Sequence, residues 1–139
     1  MAVAGYSGTP LLKKLGIKND MRILLIHEPP DYFALLEKSI TQQLCKTEDL
    51  PDMVHLFVIK KNIFEKEMKK LKPLIKQNPN IIIWISWLKK SSKQETDITE
   101  DTIRNYALSN NLVDIKVCAV SDWWSGLKLV VPVAKRKRF

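Results

Sequence analysis

Three apolar runs constrain what this chain can become: Met21 to His27 (MRILLIH), Met53 to Ile59 (MVHLFVI) and Asn80 to Trp87 (NIIIWISW). A strand with one wet face alternates apolar and polar residues. These runs barely alternate, as expected of strands covered on both faces. The segments between them have helical spacing. Phe64, Met68, Leu71 and Ile75 recur at intervals of four, three and four and form one stripe. Strands joined by helices make right-handed parallel crossovers, with helices on both faces of the sheet.

The remaining elements follow from capping and turn residues. Thr9 is read as the N-cap of a short helix, with Pro10 as its first residue and Gly16 as its stop. Asp31 opens a helix predicted to run to about Leu44, with Phe33, Leu36 and Ile40 on one face. Asn62 and Glu65 form an N-x-x-E capping pair, and Asp97 with Glu100 a second one. Pro73 is expected to kink or end the helix after Asn62, because it removes one internal hydrogen bond. Ile103, Tyr106 and Ala107 supply the stripe of the next helix, which ends near Asn110-Asn111. Val113 to Val120 is a fourth strand. The loop Ser121 to Gly126 then leads to a fifth, Leu127 to Val131, as a hairpin. The expected fold is a three-layer α/β/α sandwich around a mixed five-stranded sheet.

The 139 residues suit one domain, 1–139, with residues 1–8 as an N-terminal extension and residues 134–139 as a basic, disordered tail. No apolar run approaches the roughly 20 residues needed to cross a bilayer, so no membrane is expected. The start MAVAGYSGTP has neither the basic nor the apolar region of a secretion signal, and a cytoplasmic protein is expected. Cys45, Cys118, His27 and His55 do not stand at metal-ligand spacing, so no metal is expected.

The net charge is +8, and 19 of the 23 basic residues are lysines. Sequence-specific recognition of bases and phosphates favours the planar fork of arginine. Lys66, Lys69, Lys70 and Lys76 fall on the water-facing side of their helix. The tail Lys135-Arg136-Lys137-Arg138 offers non-specific contact with polyanions.

The order of elements resembles the C-terminal part of the class I methyltransferase fold, a Rossmann-like fold that uses S-adenosylmethionine. The resemblance implies the spatial strand order 1-2-3-5-4 with the last strand antiparallel. It also matches Asp52-Met53-Val54 to the acidic start of that fold's fourth strand. The departures lie at the cofactor site. Such methyltransferases carry a glycine-rich turn after the first strand and an acid at the end of the second, to hold the ribose. Here the first strand runs into Glu28-Pro29-Pro30-Asp31, and no glycine occurs between Gly16 and Gly126. Too few residues separate His27 from Met53 to hold two further strands with their helices. A truncated fold and no cofactor are therefore expected.

A second resemblance covers nearly the whole chain, from Gly5 to about Val131. The segments GYSGTPLLKKLGIK, HLFV, WISWLKK, TDITED, LVDIKVCAV and WSGLKLV are similar to a family of small bacterial proteins of unknown function. It implies a bacterial, single-domain protein and no particular activity.

In open α/β sheets, ligands bind beyond the carboxyl ends of the parallel strands. The sequence places His27 and Glu28, Lys60 and Lys61, Trp87 to Lys90, and Asp122 to Ser125 there. The candidate anion rim is Trp87, Lys89, Lys90, Trp124 and Ser125, with His27 as the residue best placed for acid–base work. His55, inside an apolar strand, reads as a hydrogen-bonded core histidine. Three functions fit in descending order: a non-catalytic binding or regulatory module, an enzyme for a small anionic substrate, and a non-specific nucleic-acid-associated protein. The first strand would also become a sheet edge. Either Met1 to Ile17 covers it or a second subunit pairs there as a homodimer.

Overall fold

The computed structural model describes residues 9–138; the expected N-terminal extension 1–8 lies outside the described residues. The elements run α1 (Leu11–Leu15), β1 (Ile23–Ile26), α2 (Tyr32–Leu36), β2 (Met53–Val58), α3 (Lys61–Gln77), β3 (Ile82–Leu88), α4 (Glu100–Ser109), β4 (Val113–Ala119) and β5 (Trp124–Val130). The sheet order is β1-β2-β3-β5-β4. The first three strands are parallel, and β5 runs antiparallel between β3 and β4. The class and the final hairpin are those the apolar runs imply, and the strand order is the one the methyltransferase resemblance implies. Among the described residues, no helix is long and apolar enough to cross a membrane.

The sheet has a core on each face. Val54, Leu56, Val58, Ile83, Ile85, Leu127 and Leu129 meet α3 and α4 through Phe64, Met68, Leu71, Ile103 and Ala107. Met53, Phe57 and Trp84 meet α1 and α2 through Leu11, Leu15, Tyr32 and Leu36. Every residue of β2 is buried, which accounts for its lack of alternation. The indole Nε1 of Trp84 donates to the Leu15 carbonyl at 3.0 Å, tying α1 to the middle of the sheet. Gly16 ends α1 in the left-handed region (φ 76°), a conformation that costs glycine nothing.

Several local expectations are corrected. Pro10, not Thr9, stands at the N-cap of α1. The helix expected to reach Leu44 stops at Leu36, where Glu37 turns left-handed (φ 58°). The chain then makes 3-10 turns at Thr41–Gln43 and Thr47–Asp49. Leu36 and Ile40 are both buried, so the stripe reports burial correctly, but on two separate turns. The helix after Asn62 starts a residue earlier, at Lys61, and its first N–H is capped by Asp97, whose Oδ1 accepts at 2.6 Å. Asp97 is thus spent on α3. The cap of α4 is Thr99, in reciprocal bonds with Thr102. Pro73 neither ends nor shortens α3, which runs on to Gln77. Lys69, whose carbonyl loses its helical partner to Pro73, lies on the exposed side of α3, where solvent is at hand for the freed carbonyl.

The two ends of the sheet differ. Outside β1, Leu44 forms a single parallel bridge with Ile23, and the Cys45 N–H donates to the Ile23 carbonyl at 3.0 Å. Among the described residues, this bridge at Ile23 is the backbone pairing on the outer edge of β1; residues 1–8 of the segment expected to cover that edge lie outside the described residues. At the opposite edge, Arg104 of α4 reaches Asp114 of β4 at 3.0 Å and also contacts Glu100 and Asp101. Residues 134–138, expected as a tail, continue 3-10 turns that begin at Val133. There Arg136 Nε donates to the Val131 carbonyl at 2.9 Å.

Gly126 sits where the hairpin crosses the second core. A Cβ there would lie 3.0 Å from Val120 Cγ2 and 3.3 Å from Trp84 Cε3. Gly126→Ala should destabilise the fold by about 1–3 kcal/mol, the usual range for overpacking a core. Urea denaturation measures it, and an unchanged midpoint would refute the close contact.

Candidate functional site

The carboxyl ends of the parallel strands form one rim. His27 follows β1, Ile59 and Lys60 follow β2, Lys89 follows β3, and the turn Val120 to Trp123 brings the chain into β5. Ser121 pins that turn: its buried hydroxyl accepts from the N–H groups of Trp123 and Trp124 at 3.1 and 3.2 Å. The Lys89 N–H donates to the Trp123 carbonyl at 2.9 Å, stitching the end of β3 to the hairpin tip.

The candidate residues do not converge on one pocket. Trp87 pairs with Ser125 and Leu88 with Trp124 across β3 and β5. Side chains alternate along a strand, so Trp87 and Trp124 belong to opposite faces. Trp87 closes the core under α3 and α4. Trp124 lies against the other core, its ring edge-on to Phe57 with centroids 5.0 Å apart. Trp124 and Ser125 stand inside β5, not in the loop where the sequence reading puts them. Lys90 is exposed and Lys89 half-buried. His27 lies two strands away from β3, in the left-handed region (φ 57°), and its Nε2 is 2.8 Å from Glu67 Oε2 on α3. Its partner is Glu67 rather than the adjacent Glu28. Trp123, within the expected rim segment Asp122 to Ser125 but not among the named anion-binding candidates, is the indole that the rim presents to solvent, 52% exposed. Its place in a turn between two apolar strands was the available signal.

A buried polar chain crosses the core beneath α2. Tyr32 Oη is 2.8 Å from His55 Nδ1, and His55 Nε2 is 2.7 Å from Ser86 Oγ. The imidazole also stacks on Phe57, with centroids 4.3 Å apart and planes 22° apart. Tyr, His and Ser in this order suggest a nucleophile with its base. All three are at most 2% exposed, so no substrate reaches them. Burial pushes the His55 imidazolium down to about 3. Burial, reinforced by the Glu28 carboxylate, holds the Tyr32 phenol well above its ordinary range. The chain is a neutral, structural network, as expected for His55.

The turn after β1 tests the fit of S-adenosylmethionine. Between His27 and Tyr32 stand Glu28, Pro29, Pro30 and Asp31, so two of the four residues offer no N–H donor. The Tyr32 N–H is engaged by the Pro29 carbonyl at 3.1 Å, and the Tyr32 ring packs down into the core. Cβ atoms occupy the approach that a glycine-rich turn leaves open. Beyond β1, where the ribose-holding acid would stand, the described residues supply only the bridge at Leu44. Asp52 lies at the opposite end of the sheet, accepting the Arg22 N–H at 2.9 Å. These residues do not fit the cofactor in its usual place.

The fold defines the class: a Rossmann-like sheet of the methyltransferase type. Solved structures share it, including an uncharacterised protein from Listeria monocytogenes (TM-score 0.58, 10% identity, 90% of this chain and 68% of that one). A Streptococcus agalactiae protein of the NADB-Rossmann superfamily also matches (TM-score 0.54, 9% identity, 91% and 69%). So does the Bacillus subtilis tRNA methyltransferase TrmK (TM-score 0.57, 9% identity, 89% and 66%). The chain thus spans about two thirds of each neighbour. No protein-family model and no curated protein matches the sequence.

His55 makes stability depend on pH in a defined direction. Its folded-state value, about 3, lies below the ordinary 6.5. Above pH 6.5 both states are neutral there, and its contribution is fully present. As pH falls from 6.5 toward 3, the unfolded chain takes up a proton that the folded one refuses. Stability should then drop by roughly 1.4 kcal/mol per pH unit from this group. Denaturation at stepped pH measures the slope, and His55→Gln should remove that component. An identical slope in the variant would show that His55 does not carry it.

Proposed function

We propose that this chain is a non-catalytic binding module on a shortened methyltransferase-type scaffold, and that it does not take S-adenosylmethionine at the turn after β1. The observation that carries this reading is that turn itself. Prolines and carboxylates stand where the backbone would have to meet a ligand closely. His27 is tied to Glu67, and Tyr32 is drawn into the core.

The catalytic geometry of the rim supports the same reading. His27 has a carboxylate partner on α3, with Lys70 3.9 Å from the other oxygen of that carboxylate. The pair ties β1 to α3. The nucleophile-like Ser86 and the base-like His55 are sealed in the core. What the rim offers to a partner is a surface: Lys60, Lys90 and Trp123 are all exposed. Binding through such a surface needs no further strands beyond β1.

Thermal unfolding with S-adenosylmethionine and S-adenosylhomocysteine tests the reading. A ligand at 100 times its dissociation constant would stabilise the folded state by about 2.7 kcal/mol. The expected result is an unchanged unfolding temperature at millimolar ligand. A rise that scales with ligand concentration would overturn the proposal.

A further inference from the structure

The β4–β5 hairpin carries an arrangement that costs the isolated protein stability. Lys116 of β4 and Lys128 of β5 are register partners, directly opposite each other. Like charges at such a pair repel. Both lie on the α1 side of the sheet, Lys116 exposed at its edge: Lys116 Nζ donates to the Lys14 carbonyl at 2.9 Å, and Lys128 sits beside Trp84 of β3. Lys128 is half-buried, so its ammonium is poorly hydrated. Burial, and then Lys116, lower its affinity for a proton. Lys14, at the end of α1, adds a third charge. With Lys89 and Lys116 it surrounds the Cys118 thiol, which burial nonetheless pushes up. Among the described residues, none of these four lysines forms an ion pair with a carboxylate.

The same hairpin ends in the exposed indole of Trp123, joined to Lys89 through the backbone. Asp122 beside it is the one acid of the Val120–Trp123 turn. From Lys116 to the end of β4 at Ala119 the strand extends about 10 Å at ~3.3 Å per residue, and the turn that carries Trp123 lies beyond it. The row is longer than one phosphate group and suits a chain of them. Lysines contact phosphates as point charges without reading sequence. An exposed aromatic ring stacks on any unpaired base.

We propose that this hairpin face binds single-stranded nucleic acid without sequence preference. Lys14, Lys89, Lys116 and Lys128 take the phosphates, and Trp123 stacks a base. The inference rests on the reading of the chain as a binding module and names its partner class. The surface is distinct from the basic tail and from the lysine row of α3, which lies across the sheet.

The test is fluorescence anisotropy of the full chain with labelled oligo-dT and oligo-U over a salt series. Lys116→Gln with Lys128→Gln should weaken binding at least tenfold. It should also lower the slope of log K against log salt by about 1.4, that is ~0.7 for each lost phosphate contact on a single strand. Trp123→Ala should abolish the quenching of tryptophan emission by the oligonucleotide. Without nucleic acid, Lys116→Gln should raise the unfolding temperature, because it relieves the repulsion; this readout also shows that the variant is folded. Lys66→Gln with Lys69→Gln on α3 should leave affinity and slope unchanged. Equal weakening by the α3 variant, or an unchanged slope in the hairpin variant, would overturn the site. So would inorganic phosphate that competes as well as the oligonucleotide at equal phosphate. Stabilisation by S-adenosylmethionine with oligonucleotide binding intact would sink the module reading and leave this site standing.

Discussion

The burial of β2 and β3 on both faces is the constraint on which the rest of the structure depends. A strand without a wet side needs a packed layer above and below it and a hydrogen-bonding neighbour on each edge. The two helical layers meet the first need, with α3 and α4 on one face and α1 and α2 on the other. β5 meets the second by inserting beside β3. The same burial dictates the chemistry of the polar groups that remain inside. His55 and Ser86 survive in the core because each has a partner, and His55 survives only as the neutral imidazole. Trp84 is tolerated at the centre because the last turn of α1 offers the Leu15 carbonyl to its indole.

From this frame follows the difference between the two ends of the sheet. At the β1 end, among the described residues, the sheet is met by a single bridge at Leu44 and by no further strand. The turn after β1 there carries two prolines and two carboxylates and no glycine. At the other end the hairpin is complete and extends to an edge strand with a register shift between Asp114 and Lys116. Bulges of this kind blunt an edge against pairing with another sheet. Lys116, exposed on the same edge strand, adds charge to that protection.

How much of this was legible in the chain depends on the range of the interaction. The apolar runs and the stripe Phe64, Met68, Leu71, Ile75 define strands and layers, because burial is written directly into residue type. Capping was read poorly. Asp97 precedes α4 by its position in the chain, yet caps α3, because its loop folds back to the end of β2, where Thr96 Oγ1 also donates to the Ile59 carbonyl at 2.7 Å. The rim was half legible. Its residues were named from strand ends, but the register that sends Trp87 and Trp124 to opposite faces is set by pairing with a strand many residues away. The facing of Lys116 and Lys128 likewise needs the hairpin register.

By itself, then, the sequence determined the class of the fold, the order of its elements along the chain and the lack of two N–H donors in the turn after β1, while the spatial strand order was implied by the methyltransferase resemblance. These rest on composition and on residues adjacent in the chain: apolar runs, helical spacing, and prolines that have no N–H to give. Tertiary structure alone decided which donors meet which acceptors, which indole faces water, and which lysines are forced together. Those are distances between residues far apart in sequence, and only the packed sheet defines them.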